Sequence, residues 1–245
     1  MSAHVQTIKS VNSSGVTPYT TANSITLSQG SLLICVVCFT MPSVGAKAIT
    51  SAVATGSLTM TKRIEDLAGA AGDYGGTIFS LPNMAAGTYT VTITHGGTPN
   101  KQVVFLMEVS SAATSSEADG TGASATGPTT ALNSGTMAGV TKTDDFWVAV
   151  GLSASAANPG TITAGTNWTI PANGTETNGT TNLLSSIEYR VDPGTTSGNG
   201  TFTYPTAEWT ALAFAFKNAS SSVLILRKPG SSRPFPFKPG GPAYR

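Results

Sequence analysis

Apolar residues fall into two successive sets of five short runs, and the second set follows the order of the first. In the first set, Ser31–Phe39 (SLLICVVCF) is followed by Ile49–Val53 with Leu58–Lys62, then Thr77–Leu81, Tyr89–Ile93 and Gln102–Val109. In the second, Phe146–Leu152 answers the first run, Ile162 with Asn167–Ile170 the second, and Leu184–Val191 the third. Thr201–Tyr204 and Trp209–Phe216 answer the fourth and fifth. The first and last runs of each set are almost continuously apolar, the mark of strands buried on both faces. The fourth alternates: Tyr89, Val91 and Ile93 share one face, with Thr90, Thr92 and Thr94 on the other.

The pattern predicts an all-β fold, a β-sandwich of jelly-roll or immunoglobulin-like type. One small sheet would leave its apolar face in water, so neither set is expected to be stable by itself. The two pseudo-repeated halves, about 24–109 and 128–217, are expected to pack face to face on one core. An opening strand over His4–Val11 and a Ser/Ala/Gly-rich crossover over Ser110–Gly127, read as a long surface loop, complete a domain over residues 1–217. Ile64–Gly69 has the look of a helical turn but runs into the Gly-rich stretch Gly69–Gly76, so it too is read as a loop.

Composition agrees with short strands and turns: the 245 residues include 27 Gly and 14 Pro. Hydrophobic residues reach 40%, enough for a sizeable core, while charged residues make up only 10%, well below the roughly 25% usual for soluble domains. Thr, Ser, Asn and Gly must therefore cover the surface, as in secreted proteins and in subunits that bury much of their surface in assemblies. The opening MSAHVQTIKS lacks the apolar stretch of a signal peptide, and no run approaches the ~20 apolar residues of a membrane span. Synthesis in a host cytoplasm without export, and no membrane partner, are the expectation; sequons such as Asn167-Trp-Thr and Asn173-Gly-Thr then have no glycosylation role.

After Lys217 the composition changes to NASSSVLILRKPGSSRPFPFKPGGPAYR. This 218–245 segment holds Arg227, Lys228, Arg233, Lys238 and Arg245 and no acid, five of the chain's 13 basic residues. The rest keeps 8 basic against 12 acidic residues, a formal −4 beside +5. Pro229, Pro234, Pro236, Pro239 and Pro242 forbid helix and favour an extended conformation, and Val223, Leu224, Ile225 and Leu226 read as one short strand. Phe235, Phe237 and Tyr244 are aromatic anchors that water would waste. The segment reads as an extended basic arm that docks on a neighbouring subunit by adding a strand to an open edge. Five charges without a stacking platform do not point to nucleic acid.

Candidate chemistry is sparse. Cys35 and Cys38 lie three apart on one strand, so their thiols face opposite sides and form neither a disulfide nor a metal pair. Only His4 and His95 could serve a nucleophilic site, one near a disordered start and the other at a strand end. Glu108, Glu188 and Glu208 lie on strands where glycosidase acid pairs are built, which keeps weak glycoside hydrolysis as a third reading. Asp144-Asp145 and Glu65-Asp66 lack the spaced ligands of a calcium loop. Trp168 and Tyr204 are candidate sugar-stacking rings, whereas Trp147 and Trp209 start the most apolar strands and belong to the core. No cofactor and no metal are expected.

The succession SQGSLLICVVCF, TGSLTMTK, GTIFSLPNMAAGTYTVTITHGG, VVFLMEVS, TKTDDFWVAVGL and EWTALAFAFK, over about Ser24–Lys217, resembles a jelly-roll-like β-sandwich family of phage and bacterial structural or surface proteins of unassigned function. The resemblance implies a non-enzymatic virion protein, specifically a phage capsid decoration or cement protein. It would bind capsid or other virion subunits through its arm, as a homo-oligomer and by analogy a trimer. The alternative it implies is a tail- or fibre-associated carbohydrate-binding or adhesion module. The chain departs from the pattern in its basic arm and in lacking an export signal.

Overall fold

The computed structural model describes residues 2–41, 48–67, 74–153, 161–176, 183–204 and 208–219. The first half contains β1 (Ala3–Asn12), β2 (Tyr19–Thr20), β3 (Ile25–Leu27), β4 (Ser31–Thr40), β5 (Ile49–Ala54), β6 (Leu58–Thr59), β7 (Thr61–Asp66), β8 (Tyr74–Met84), β9 (Gly87–Tyr89), β10 (Val91–His95) and β11 (Lys101–Ser110). The second contains β12 (Ala123–Gly127), β13 (Ala131–Asn133), β14 (Phe146–Ser153), β15 (Thr163–Ala164), β16 (Thr175–Glu176), β17 (Leu184–Val191), β18 (Thr201–Thr203) and β19 (Trp209–Phe216). The protein is all-β, a β-sandwich fold without helix among the described residues.

Each half is itself a sandwich. An inner five-stranded sheet, β1-β11-β4-β8-β7, faces an outer four-stranded sheet, β2-β10-β5-β6; in the second half the inner sheet is β12-β19-β14-β17-β16 and the outer one β13-β18-β15. In each inner sheet the strand of the first apolar run, β4 or β14, is central. The strands of the last and third runs flank it, with every pairing antiparallel. The two inner sheets then stack back to back, giving four layers.

Three apolar interiors result, where the sequence reading expects one. Leu33, Cys35, Val37 and Phe39 of β4 meet Ala52, Val91 and Ile93 of the outer sheet. Leu32, Ile34, Val36 and Cys38, on the opposite face of the same strand, meet Phe146, Val148, Val150 and Leu152 of β14. Trp147 and Ala149, on the far face of β14, meet Leu132 and Phe202 in a third cluster. A strand apolar at every position needs an apolar partner on each side, and only a stacked pair of sandwiches supplies both. Cys35 and Cys38 accordingly fall into different interiors, and both are free thiols.

Glycine permits close approach of the two halves on the β7/β8 side. A Cβ on Gly76 would come within 2.8 Å of Leu152 Cδ2 and 2.9 Å of Leu212 Cδ1, and one on Gly122 within 2.9 Å of Ile64 Cδ1. Two expectations need correcting. Ile64–Asp66 is part of β7, paired with β8, because an edge position beside a long strand outweighs a helix-like local pattern. The crossover after β11 is not a plain surface loop. Ala123–Gly127 is the edge strand β12, and Ala112 and Ala118 bridge to Asn218 and Phe216.

Candidate functional site

The few charges of the body are distributed unevenly. No Asp, Glu, Lys or Arg occurs in β2, β3, β5, β6, β9, β10, β13, β15 or β18, the strands outside the two inner sheets. Threonine takes their place. Thr20 and Thr92 hydroxyls lie 2.8 Å apart across β2 and β10, Thr55 and Thr90 3.0 Å apart, and Thr26 and Thr88 3.1 Å apart across β3 and β9. These strands carry no charge, and their threonine hydroxyls partly satisfy one another.

Two ion pairs join the halves, one on each side of the body. Along one seam Lys9 of β1 reaches across to Glu176 at 2.9 Å and to the Thr175 carbonyl at 2.7 Å, and the Asn173 side-chain amide donates to Thr7 O at 3.3 Å. Along the other, Arg63 of β7 donates to Glu117 of the crossover through Nη2. Its Nε donates to Ser80 Oγ at 2.6 Å, and Ser80 Oγ donates to Glu117 at 2.8 Å. On each side a cation of the first half meets an anion, Glu176 of the second half or Glu117 of the crossover, and Glu117 is almost fully dry.

The strand acids singled out as a possible hydrolytic pair do not converge. Glu108 lies inside the first sandwich, where Gln6 Nε2 donates to it at 2.7 Å, Ser28 N–H at 2.7 Å and Ser31 Oγ at 2.8 Å. Burial would raise its pKa, but these donors outweigh burial and hold it below the usual carboxylate value. Glu188 lies inside the second sandwich and accepts from Gly165 N–H at 3.0 Å and Thr201 N–H at 2.9 Å. There burial wins over the two donors and pushes it up to about 8. Glu208 is exposed at the start of β19.

Neither sugar-stacking candidate offers a free ring face. Trp168 is 8% exposed and packs 6.3 Å from Trp147. Tyr204 is 1% exposed, with its hydroxyl donating to Gly151 O at 2.6 Å. Both fill the third interior, which needs large rings to cover a small outer sheet. Trp147 and Trp209 are buried beside them. His4 belongs to β1, stacked 4.5 Å from Tyr189, rather than to a disordered start. Asp144 and Asp145 part company, one exposed and one buried, and Glu65 turns to Lys62 at 2.8 Å and Ile49 N–H at 2.9 Å. Among the described residues no group of three or more His, Cys, Asp or Glu side chains is arranged to hold a metal.

The arm residues Val223, Leu224, Ile225, Leu226, Arg227, Lys228, Arg233, Phe235, Phe237, Lys238, Tyr244 and Arg245 lie outside the described residues. Its point of departure does not. Ala219 N–H donates to Ser111 O at 2.8 Å, and the Asn218 amide oxygen accepts from Ser2 Oγ at 2.9 Å. The arm thus leaves beside the first residues of the chain and the end of β11. The polar node there leaves no mark in the sequence, because its members, Ser2, Ser111, Asp119, Asp145 and Asn218, are scattered singly along the chain. No protein-family model, curated protein or solved structure matches the chain.

Proposed function

We propose that the protein is a non-enzymatic structural subunit of an assembly, and specifically a virion decoration or cement protein. Its arm grips neighbouring subunits while the sandwich body packs against them. The observation that carries this reading is the absence of charge from every strand outside the two inner sheets. A lone soluble domain gains solubility from surface charge. A subunit destined for lateral contacts is better served by threonine faces that can be desolvated without stranding an ion. The basic arm beside a mildly acidic body adds electrostatic complementarity between copies, and many weak contacts in one assembly supply avidity. A homo-oligomer follows from the same reading, and a trimer is proposed only by analogy with decoration subunits that cluster about capsid symmetry axes.

The test is co-sedimentation with particles purified from the source of the chain, comparing the full chain with one lacking residues 221–245. Full-length chain in the particle fraction, and truncated protein that is folded but left in the supernatant, is the expected result. Absence of the full chain from particles overturns the virion reading, and retained binding after truncation overturns the role of the arm. A glycan-array signal would transfer the assignment to adhesion, through residues other than Trp168 and Tyr204.

A further inference from the structure

The end of β19 is held at a single node. Lys217 N–H donates to Glu117 O at 2.7 Å, Ala113 N–H to Lys217 O at 2.9 Å, and Ala219 N–H to Ser111 O at 2.8 Å. The Asn218 side-chain amide also donates to Asp144 Oδ2 at 3.3 Å. Behind these contacts sits Asp145, 0% exposed. No hydrogen bond of normal geometry reaches either of its carboxyl oxygens, and the polar groups facing it are the Asp119 carboxyl and the Asn218 N–H.

Asp119, 2% exposed, is supplied as an anion should be. Thr141 N–H donates to it at 2.7 Å, Thr141 Oγ1 at 2.8 Å and Lys142 N–H at 3.0 Å. Two carboxyls in contact out of water cannot both be charged. The donor count puts the charge on Asp119 and leaves the proton on Asp145.

We propose that Asp119 and Asp145 share one proton and act as a clasp on the end of β19, closed while the proton is held and loosened when it passes to solvent. The use of such a clasp rests on the reading of residues 220–245 as a docking arm, since Ala219 is where that segment leaves. Electrostatics agree with the geometry. Burial, the Asp119 carboxyl and the charge of Asp144 push Asp145 up to about 8 against the opposing Asn218 N–H. Burial alone would raise Asp119 as well, but hydrogen bonds from Asp145, Thr141 and Lys142 outweigh it and hold Asp119 below the ordinary value.

The other charges around the node are accounted for. Glu117 is taken by Arg63; Lys142 and Lys217 adjoin the node along the chain; and Asp192, exposed, donates its N–H to the Asp145 carbonyl at 3.1 Å. Asp145 is raised in the closed state, so an opened node releases the proton at the ordinary value of 3.8. Opening therefore grows easier as pH rises from about 4 towards about 8, by at most about tenfold per pH unit, and then levels off.

The experiment is amide hydrogen exchange on the full chain between pH 5 and 9, corrected for intrinsic exchange and read on the peptide that ends β19. Wild type should lose protection up to about pH 8, while Asp145→Asn loses it with a clearly shallower slope. A level wild-type profile, or an Asp145→Asn profile as steep as wild type, overturns the clasp. Should Asp145→Asn fail to fold, carbon-13 titration of the wild-type carboxyls decides: one Asp midpoint far above the rest is expected, and all midpoints in the ordinary range refute the pair. Arm docking is measured at one fixed pH by truncation, so either idea can fail without the other.

Discussion

Between inner and outer sheets the first half packs Leu33, Cys35, Val37 and Phe39 against Ala52, Ala54, Val91 and Ile93. The equivalent space in the second half holds Trp147, Trp168, Trp209 and Tyr204 over Ala211, Ala213 and Ala215. The difference follows from the outer layers. The first is a four-stranded sheet that brings its own aliphatic side chains, whereas β13, β15 and β18 are two or three residues long and bring few. Large rings, Trp147 and Trp209 from the inner sheet and Trp168 and Tyr204 from segments following β15 and β18, then fill the gap over alanines and glycines that make room. A Cβ on Gly198 would come within 2.3 Å of the Trp147 ring, and one on Gly127 within 2.5 Å of Trp209. The same layered geometry is thus filled by interdigitated branches in one half and by rings on a small-residue floor in the other.

The sharpest way to break that comparison is Trp147→Ala, which should cost about 3–5 kcal/mol, read by urea unfolding; a loss under about 1 kcal/mol would sink the ring-on-floor account. The two seams offer the next contrast. Arg63→Ala strands the nearly dry Glu117 and should cost about 3 kcal/mol, far more than its counterpart across the molecule. Gly76→Val drives a side chain into Leu152 and Leu212 of the facing inner sheet and should cost about 1–3 kcal/mol, visible as a lower Tm with near-native circular dichroism.

A smaller effect is expected from Glu188→Gln, seen only in the pH profile. Glu188 is raised in the fold to about 8 from 4.5, so wild-type stability falls as pH climbs between those values, and the amide should flatten part of that slope. A slope unchanged in the variant would mean that the buried carboxyl is not protonated. Lys9→Ala should matter least, under about 1 kcal/mol, since its pair with Glu176 is partly solvated.

What the sequence revealed follows the same division. Burial on both faces could be read from the nearly continuous apolar runs of β4, β11, β14 and β19, and the half-exposed β10 from its threonine alternation. The four layers were not read from it, because the two halves were expected to close a single core, whereas a strand apolar on both faces needs a covering layer on each side. β12 stayed hidden because its Ala, Ser, Thr and Gly residues have neither apolar bulk nor alternation to mark a strand, and its Gly127 is small enough to lie against the Trp209 ring. Trp168 sits in a loop with no period to reveal its direction. Asp145 looked like any surface acid, because only the fold brings Asp119, 26 residues earlier in the chain, against it.

The placement of β19 has a mechanical consequence. The strand lies between β12 and β14, joined to them over five and seven residue pairs, and the chain continues into the arm from its end. Tension applied through the arm would pull along the strand axis, so both ladders would bear the load together in shear rather than peeling bond by bond. A tether fixed to an edge strand would unzip; one fixed to β19 transmits force into the middle of the body.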